Sequence, residues 1–379
     1  MPSTIRPMTQ TLDICIRGSG IVGRTLALLL ARERLKVGLV SRPAPATPEP
    51  VTDVRAYALN AKSKALLESV RCWPGAQHAT EVLAMQVKGD AGGEVNFAAE
   101  ALQVPGLTWI VDVPTLEAQL ADAVRFQPQI ELLDAPRPAA LTVICEGKAS
   151  STRAEFGVEF EVTRYPHRAI AARLQGELPH AQTARQWFSQ GDILAFLPID
   201  GAQGRTVAIV WSVQESRAQA LLDADPADFC QQLQAASEGC LGALSLVSER
   251  SAWPLQMARA RRWVGVHAGK AWALAGDAAH NVHPLAGQGL NLGLGDVAHL
   301  AQVLHGRDYW RSVGDMKLLR PYERARQAEL LKTGAAMDGL QQLFSQSGTP
   351  WQAVRNWGMK GFDRSGPLKA WVARQAMGF

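Results

Sequence analysis

The stretch Trp272-Ala-Leu-Ala-Gly-Asp-Ala-Ala-His-Asn-Val-His-Pro-Leu-Ala-Gly-Gln-Gly-Leu-Asn-Leu-Gly-Leu-Gly-Asp296 has the pattern of a buried strand, a polar turn and a glycine-rich approach to a helix. The apolar run that begins it is short enough for a strand and stops at Gly276-Asp277, a turn pair. From Leu290 onward apolar residues recur at helical spacing. The N-terminus of such a helix offers free N–H groups and a partial positive charge to an anion. Asp277, at the strand end, offers a carboxylate that can accept hydrogen bonds from a polyol.

A polyol acceptor beside an anion site meets the needs of a flavin, which has a ribitol chain and gains negative charge on its reduced ring. Pro284, Gly287 and Gly289 let the backbone lie close to a flat or charged group. His280 and His283 do not predict a metal site, because their spacing binds a metal only on a helix, which Pro284 and the glycines disfavour. We therefore predict a flavin site and no metal site at this turn.

A second signal lies near the N-terminus, in Leu12-Asp-Ile-Cys-Ile-Arg-Gly-Ser-Gly-Ile-Val-Gly23. Gly18, Gly20 and Gly23 form a G-x-G-x-x-G fingerprint with a strand before it, an apolar helix after it and then another strand. The glycines permit a tight turn and let a pyrophosphate rest on the helix N-terminus. The acidic residue expected at the end of the second strand is replaced by Ser41. Either Ser41 holds the adenosine ribose, or adenosine binding is weaker than usual.

The central stretch resembles a motif of a known family. Gly276-Asp277, followed by Gly287-Gln288-Gly289 and Asn291, is similar to the second flavin motif of the aromatic-ring hydroxylases of the p-hydroxybenzoate hydroxylase type. The resemblance implies that Asp277 holds the ribitol of FAD and that N–H groups near Gly289 and Leu290 stabilise the reduced ring. It also implies that Pro284 shapes the side of the ring that oxygen approaches.

Two further stretches resemble motifs of the same family. Asp53-Val-Arg-Ala-Tyr-Ala-Leu-Asn60 is similar to its Arg-x-x-Ala-Leu segment, which implies that Arg55 lies against the flavin; the alternative is a solvated arginine ahead of a helix. The family motif Asp-Gly-x-x-Ser-x-x-Arg, which contacts the flavin pyrophosphate and the nicotinamide donor, is matched by Glu146, Gly147, Ser150 and Arg153. Glu146 is one methylene longer than the family's aspartate. Arg17 likewise replaces the small or aliphatic residue usual in the first strand.

The segment from Arg355 to Gly378 resembles the ending of the ubiquinone-biosynthesis members of the family. This resemblance implies an FAD-dependent monooxygenase that hydroxylates the aromatic ring of a phenolic, prenylated ubiquinone precursor. It implies NAD(P)H as a transient reductant, O2 as co-substrate and a flavin hydroperoxide as the oxygen donor. The departures at Arg17, Ser41 and Glu146 leave open a non-catalytic scaffold subunit of a quinone-biosynthesis complex. A flavin dehydrogenase and a halogenase are further alternatives.

The predicted fold class is α/β, a Rossmann-like FAD/NAD(P)-binding domain with an inserted, mostly antiparallel substrate sheet and C-terminal helices. We expect an FAD-binding domain at 1–75, 101–155 and 270–330, and a substrate-binding domain at 76–100 and 156–269. Residues 331–379 are expected to form a C-terminal helical region.

Composition narrows the class of protein and its location. An apolar fraction of 47% with 20% charged residues is typical of a soluble globular protein, and a net charge of +4 does not predict a nucleic-acid partner. The five cysteines are scattered and odd in number, which favours a cytoplasmic protein without structural disulfides. No signal peptide or membrane span is predicted.

The C-terminal part of the chain is basic. From Arg307 onward there are twelve basic and six acidic residues, so this part carries more than the whole net charge. Together with Trp351, Trp357 and Trp371, this part of the chain is expected either to touch the anionic inner face of a membrane or to cap the fold with a solvated basic face.

Overall fold

The computed structural model describes residues 11–41, 53–89, 92–281, 288–345 and 365, and for 333–345 the backbone alone. Its strands are β1 (Leu12–Arg17), β2 (Val37–Val40), β3 (Ala56–Leu59), β4 (Ala79–Val82), β5 (Ala84–Lys88), β6 (Glu94–Ala98), β7 (Thr108–Asp112), β8 (Ile130–Leu133), β9 (Ala139–Ile144), β10 (Phe160–Gly176), β11 (Thr183–Ser189), β12 (Asp192–Pro198), β13 (Thr206–Gln214), β14 (Leu244–Leu246), β15 (Ser251–Ala260), β16 (Val264–His267), β17 (Lys270–Leu274) and β18 (His280–Asn281). Its helices are α1 (Ile21–Arg32), α2 (Ala61–Ser69), α3 (Ala99–Leu102), α4 (Val113–Arg125), α5 (Ser151–Glu155), α6 (Glu215–Asp223), α7 (Pro226–Ala236), α8 (Gln288–His305) and α9 (Met316–Ser345).

The first sheet is the predicted Rossmann-like sheet. Its strand order is β16-β17-β9-β1-β2-β8, with parallel pairing throughout except at the β16 edge. Parallel strands are buried on both faces, which is why β1 and β9 are nearly continuous apolar runs. Ile14, Ile16 and Val143 are fully buried in the core that this sheet forms with α1, α4 and α8. The carboxyl ends of β1, β9 and β17 therefore meet at one edge of the sheet.

The second sheet is the predicted insertion. Its strand order is β18-β15-β10-β13-β12-β11-β5-β6, with β14 beside β10, and only the β5–β11 pair is parallel. Side chains alternate between its two faces. One face packs Trp211 and Phe196 against Phe229 and Leu233 of α7. The other face turns toward the first sheet, so the α/β class with an inserted, mostly antiparallel sheet is confirmed.

A small sheet of order β3-β7-β4 joins the two large ones. Strand β4, at residues 79–82, pairs with β7 rather than with the second sheet, although β5 and β6 that follow belong to the second sheet. This small sheet carries the segment of Arg55 to the space between the large sheets. Within the described residues no helix is long and apolar enough to cross a membrane.

Candidate active site

The turn between β1 and α1 is built by close backbone contacts. Gly18 has φ +116°, and a Cβ on it would lie 2.4 Å from the carbonyl oxygen of Cys145. A Cβ on Gly23 would lie 1.9 Å from the carbonyl oxygen of Gly18, so α1 can approach the turn only with glycine here. A Cβ on Gly20, in contrast, would meet nothing within 4 Å. The space beside Gly20, at the N-terminus of α1, is therefore free for a pyrophosphate.

Two of the three residues that depart from the family pattern, Arg17 and Glu146, pair with each other. Arg17 Nε donates to Glu146 Oε1 at 3.2 Å, and a second nitrogen of Arg17 donates to Glu155 at 2.9 Å. Glu146 also accepts from Ser150 Oγ at 2.8 Å and from Thr152 Oγ1 at 2.6 Å at the start of α5. Burial would raise the pKa of Glu146, but these hydrogen bonds and the charge of Arg17 hold it below its usual value. Its carboxylate thus stabilises the loop after β9.

Arg153 ties that loop to the turn after β17. Its buried guanidinium donates to the carbonyl oxygens of Gly147 at 3.3 Å, Asp277 at 3.3 Å and Ala278 at 3.1 Å. The guanidinium carbon lies 3.7 Å from the ring centroid of Phe160. Because one side chain bonds the carbonyls of both loops, the motif of Glu146 to Arg153 and the Gly276-Asp277 turn form one continuous wall.

The Gly276-Asp277 turn is fixed from behind by a buried charge network. Asp296 accepts the N–H of Gly276 at 2.9 Å, His280 Nε2–H at 2.7 Å and Arg326 Nε–H at 2.8 Å. Asp296 is fully buried, and the charges of His280 and Arg326 hold its pKa below its usual value against the effect of burial. Tyr322 donates to the carbonyl oxygen of Leu274 at 2.7 Å. These residues stabilise the turn from behind and do not line the cavity.

Asp277 itself faces the cavity. Burial raises the pKa of its carboxyl group, which the charges of Lys148, His280 and Arg55 partly oppose. Among the described residues none donates a hydrogen bond to this carboxylate, so its oxygens stay available to a ligand. The residues of the structure's described ranges hold no group of three or more His, Cys, Asp and Glu that could bind a metal, and His283 lies outside them.

The first turn of α8 lies beside Asp277. Gly289 and Leu290 line the cavity, and Gln288 begins the helix, whereas Pro284 and Gly287 lie outside the described residues. Asn291 is buried and connects α8 to α2: it accepts from Asn60 N at 3.0 Å and Ser63 Oγ at 2.7 Å, and donates to the carbonyl oxygen of Ala58 at 2.8 Å. Since its amide makes these contacts, Asn291 places the helix N-terminus at the cavity.

Arg55 lies on the opposite wall. Its Nε donates to Asp53 at 2.8 and 3.0 Å, and its guanidinium lies 3.6 Å from Glu117. The hydrogen bond to Asp53 raises the pKa of Arg55. Tyr57 lines the same wall, and burial raises the pKa of its hydroxyl. Ser41 lies further out, at the end of β2, with its hydroxyl 3.0 Å from that of Ser19.

A cavity of about 590 Å³ separates the two large sheets. Its wall on the first sheet combines Gly20, Gly147, Lys148, Asp277 and the first turn of α8. Its floor is the second sheet, where small apolar side chains make room; these are Ala171, Ala184, Ala195, Ala208 and Val210. Sequence reasoning predicted Gly20, Arg55, Gly147, Asp277, Gly289 and Leu290 of this lining. It missed other wall residues, among them Tyr57, Glu117 and Lys148, for which the motif pattern gives no signal, and it missed the floor, whose short alanine positions look like ordinary strand.

The chain is similar to known proteins over nearly its whole length. The chain is 27% identical to 3-demethoxyubiquinol 3-hydroxylase of Escherichia coli, over 97% of this chain and 99% of that protein. It is 28% identical to ubiquinone hydroxylase UbiL of Rhodospirillum rubrum, over 100% and 93% of the two chains. The crystal structure of p-nitrophenol 4-monooxygenase PnpA from Pseudomonas putida matches with a TM-score of 0.74 at 16% identity, covering 97% of this chain and 98% of that one.

Fold, cavity and comparisons together define the class as FAD-dependent monooxygenases, flavoproteins that use NAD(P)H and O2. The chain belongs to the FAD binding domain family, whose model matches residues 137–332, just over half of the chain. The comparisons give no support to a non-catalytic scaffold.

Proposed function

We propose that this monooxygenase hydroxylates the aromatic ring of an uncharged phenol that carries an apolar, prenylated substituent, as a ubiquinone precursor does. The observation that carries the proposal is the floor of the cavity. Ala171, Val210 and Ala195 are neighbours across β10, β13 and β12, and they form a recessed apolar surface opposite Asp277 and α8. Such a surface favours a flat apolar ring and a hydrocarbon chain over a charged group.

The charges of the cavity support the same substrate class. Lys148 lies on the wall of the first sheet, where a cofactor would bind, and Arg55 lies on the opposite wall, where it is ion-paired with Asp53. Arg185 borders the floor, but strand alternation puts its side chain on the face of Trp187, where it donates to Gln86 at 3.1 Å and to the carbonyl oxygen of His180 at 3.3 Å. Arg173 is on the cavity side of the same sheet, but it lies outside the lining and is ion-paired with Asp112, so the described floor offers no unpaired cation to a substrate carboxylate.

The residues of the wall fit FAD. When bound, FAD supplies the redox chemistry, accepting reducing equivalents from NAD(P)H and activating O2 for transfer to the ring. We propose that the free carboxylate of Asp277 accepts hydrogen bonds from ribitol and that the space beside Gly20 takes the pyrophosphate. The first N–H groups of α8, at Gly289 and Leu290, would stabilise negative charge on the reduced ring. The apolar floor would keep water from the reacting atoms.

The experiment that tests this function begins with the visible spectrum of the purified protein. We expect a flavin spectrum that survives desalting after FAD is added. We then expect NAD(P)H oxidation that a prenylated phenol accelerates, with a hydroxylated product, and that the matched phenol carboxylate does not accelerate. Retained flavin with equal turnover of the carboxylate would contradict the substrate class. If the protein retains no flavin even with excess FAD, the result would favour a non-catalytic scaffold subunit.

We also propose that the protein collects its substrate at the inner face of an anionic membrane. The net charge of +6 from Arg307 onward, of which the buried Arg326 accounts for one, supports this, because basic residues near a surface attract anionic lipid. Most of the tail with Trp351, Trp357 and Trp371 lies outside the described residues. Sedimentation with vesicles that contain phosphatidylglycerol, but not with phosphatidylcholine vesicles, is expected. Equal binding to both would argue against the electrostatic contact and for the solvated cap.

A further inference from the structure

Arg173, in β10 of the second sheet, reaches across to the segment that carries Arg55. Its position alternates with Ala171 and pairs with Ala208, so its side chain points to the cavity side of the sheet, just beyond the lining. Its guanidinium is ion-paired with Asp112 at the end of β7, with side-chain exposures of 23% and 16%. The same nitrogen lies 3.4 Å from the backbone carbonyl oxygen of Asp53.

One partner of Arg173 contacts Arg55 directly, and the other lies beside the strand that follows Arg55. Asp53 receives the guanidinium of Arg55 through both carboxylate oxygens and also the backbone N–H of Arg55 at 3.0 Å. Asp112 is the cross-strand partner of Ala56, and the N–H of the next residue, Val113, donates to the carbonyl oxygen of Arg55 at 3.3 Å. Arg173 therefore bonds two residues that border Arg55, one before it in the chain and one across the β3–β7 pair.

The electrostatics of the group point the same way. Burial would raise the pKa of Asp53, but the hydrogen bonds and charge of Arg55 and the charge of Arg173 hold it below its usual value. The pKa of Asp112 is lowered, against burial, by hydrogen bonds from Thr115 and Arg173. Both carboxylates stay ionised, so loss of Arg173 leaves the partly buried Asp112 without the cation that pairs with it, while Asp53 keeps Arg55.

We propose that Arg173 is a positioning residue that fixes the guanidinium of Arg55 at the cavity wall and so sets the affinity of the site for FAD. The inference rests on the proposed placement of Arg55 beside the flavin. It also links the substrate sheet to the cofactor wall: a displacement of β10 moves Asp53 and Asp112, and with them Arg55.

The test is a double-mutant cycle on the full chain, read out as FAD affinity by flavin fluorescence titration. Arg173→Gln is expected to weaken FAD binding about tenfold, the size of one lost charge-assisted contact, and to alter the visible circular dichroism of bound FAD. In the Arg55→Gln background the same change is expected to have no further effect. Arg173→Lys, which keeps one bond to Asp112, is expected to restore part of the affinity.

The matched control is Arg217→Gln, which removes the Arg217–Asp192 ion pair on the opposite face of the same sheet. It should leave FAD affinity and circular dichroism unchanged. Effects of Arg173→Gln and Arg55→Gln that multiply, or an equal effect of Arg217→Gln, would overturn the proposal. If Arg55→Gln binds FAD like wild type, the placement of Arg55 at the flavin fails. The urea midpoints of the four apo proteins then decide: non-additive shifts support the hold of Arg173 on Arg55, and additive shifts refute it.

Discussion

The pairing of Arg17 with Glu146 predicts that the stability losses from removing each residue are not additive. In Glu146→Ala, Arg17 loses its inner partner while its side chain is only 14% exposed, and it keeps only Glu155, which is 51% exposed. Ser150 and Thr152 also lose the acceptor that holds the start of α5. The opposite change, Arg17→Ala, leaves Glu146 with those two hydroxyl donors.

The magnitudes follow from these contacts. Removing one partner of a buried pair costs about 3–5 kcal/mol, and the remaining contact of Arg17 with Glu155 reduces this to about 3 kcal/mol for Glu146→Ala. Arg17→Ala should cost about 2 kcal/mol, since Glu146 keeps its hydroxyl donors. The double variant should lose about 3 kcal/mol rather than the additive ~5, because the pair interaction is counted once.

Thermal unfolding of the apo protein, followed by tryptophan fluorescence, measures this cycle. At roughly 1.3 °C per kcal/mol for a chain of this length, the two single variants should unfold about 4 and about 3 °C below wild type. The double variant should unfold about 4 °C below wild type. Additive losses, or a loss under about 1 °C for Glu146→Ala, would refute the mutual compensation.

Cofactor retention, cavity volume and acid stability give three further outcomes. Asp277→Asn keeps the shape of the side chain but removes its charge, so FAD affinity should fall by at least about tenfold in a fluorescence titration; unchanged affinity would remove Asp277 from the cofactor site. Ala195→Leu fills the floor, so the KM for a prenylated phenol should rise at least about tenfold while FAD affinity holds; loss of FAD instead would place the cofactor on the floor. The pKa values of Glu146 and Asp296 are lowered in the folded state, so their stabilisation is complete above the unfolded values near ~4 and is lost as the pH falls below them. The urea concentration at the unfolding midpoint should therefore decrease as the pH is lowered past about 4, and it should decrease less steeply in Glu146→Gln than in wild type. Equal pH dependence in the two proteins would show that Glu146 does not contribute.

Much of the fold could be predicted because its signals are local. The G-x-G-x-x-G turn between two apolar runs specifies a strand, a helix and a parallel strand within a short stretch. The central motif does the same for β17 and α8. The alternation from Ala169 to Leu174 is likewise a local signal of a strand in the second sheet, although no pattern predicts the 17-residue length of β10.

The site could be predicted only in part, because its contacts join distant residues. Arg17 and Glu146 are 129 positions apart, so two departures that looked like separate defects are one ion pair. Asn291 was expected at the cofactor, and whether it touches FAD stays a prediction; its amide holds α8 to α2 across 231 positions. Pairings of this kind arise from tertiary packing, which no local pattern in a single sequence specifies.

The network behind Asp277 has a consequence for the order of synthesis. The glycine turn at Gly18 is made first, but the turn that carries Asp277 is locked by Tyr322 and Arg326 of α9, which leave the ribosome some 300 residues later. Until Arg326 arrives, the buried Asp296 would lack one of the two cationic partners that stabilise it and keep His280, which is less favourable. A nascent chain therefore completes this pocket only after α9 is made. Loading of the cofactor would then depend on the synthesis of a helix that lies outside the cavity.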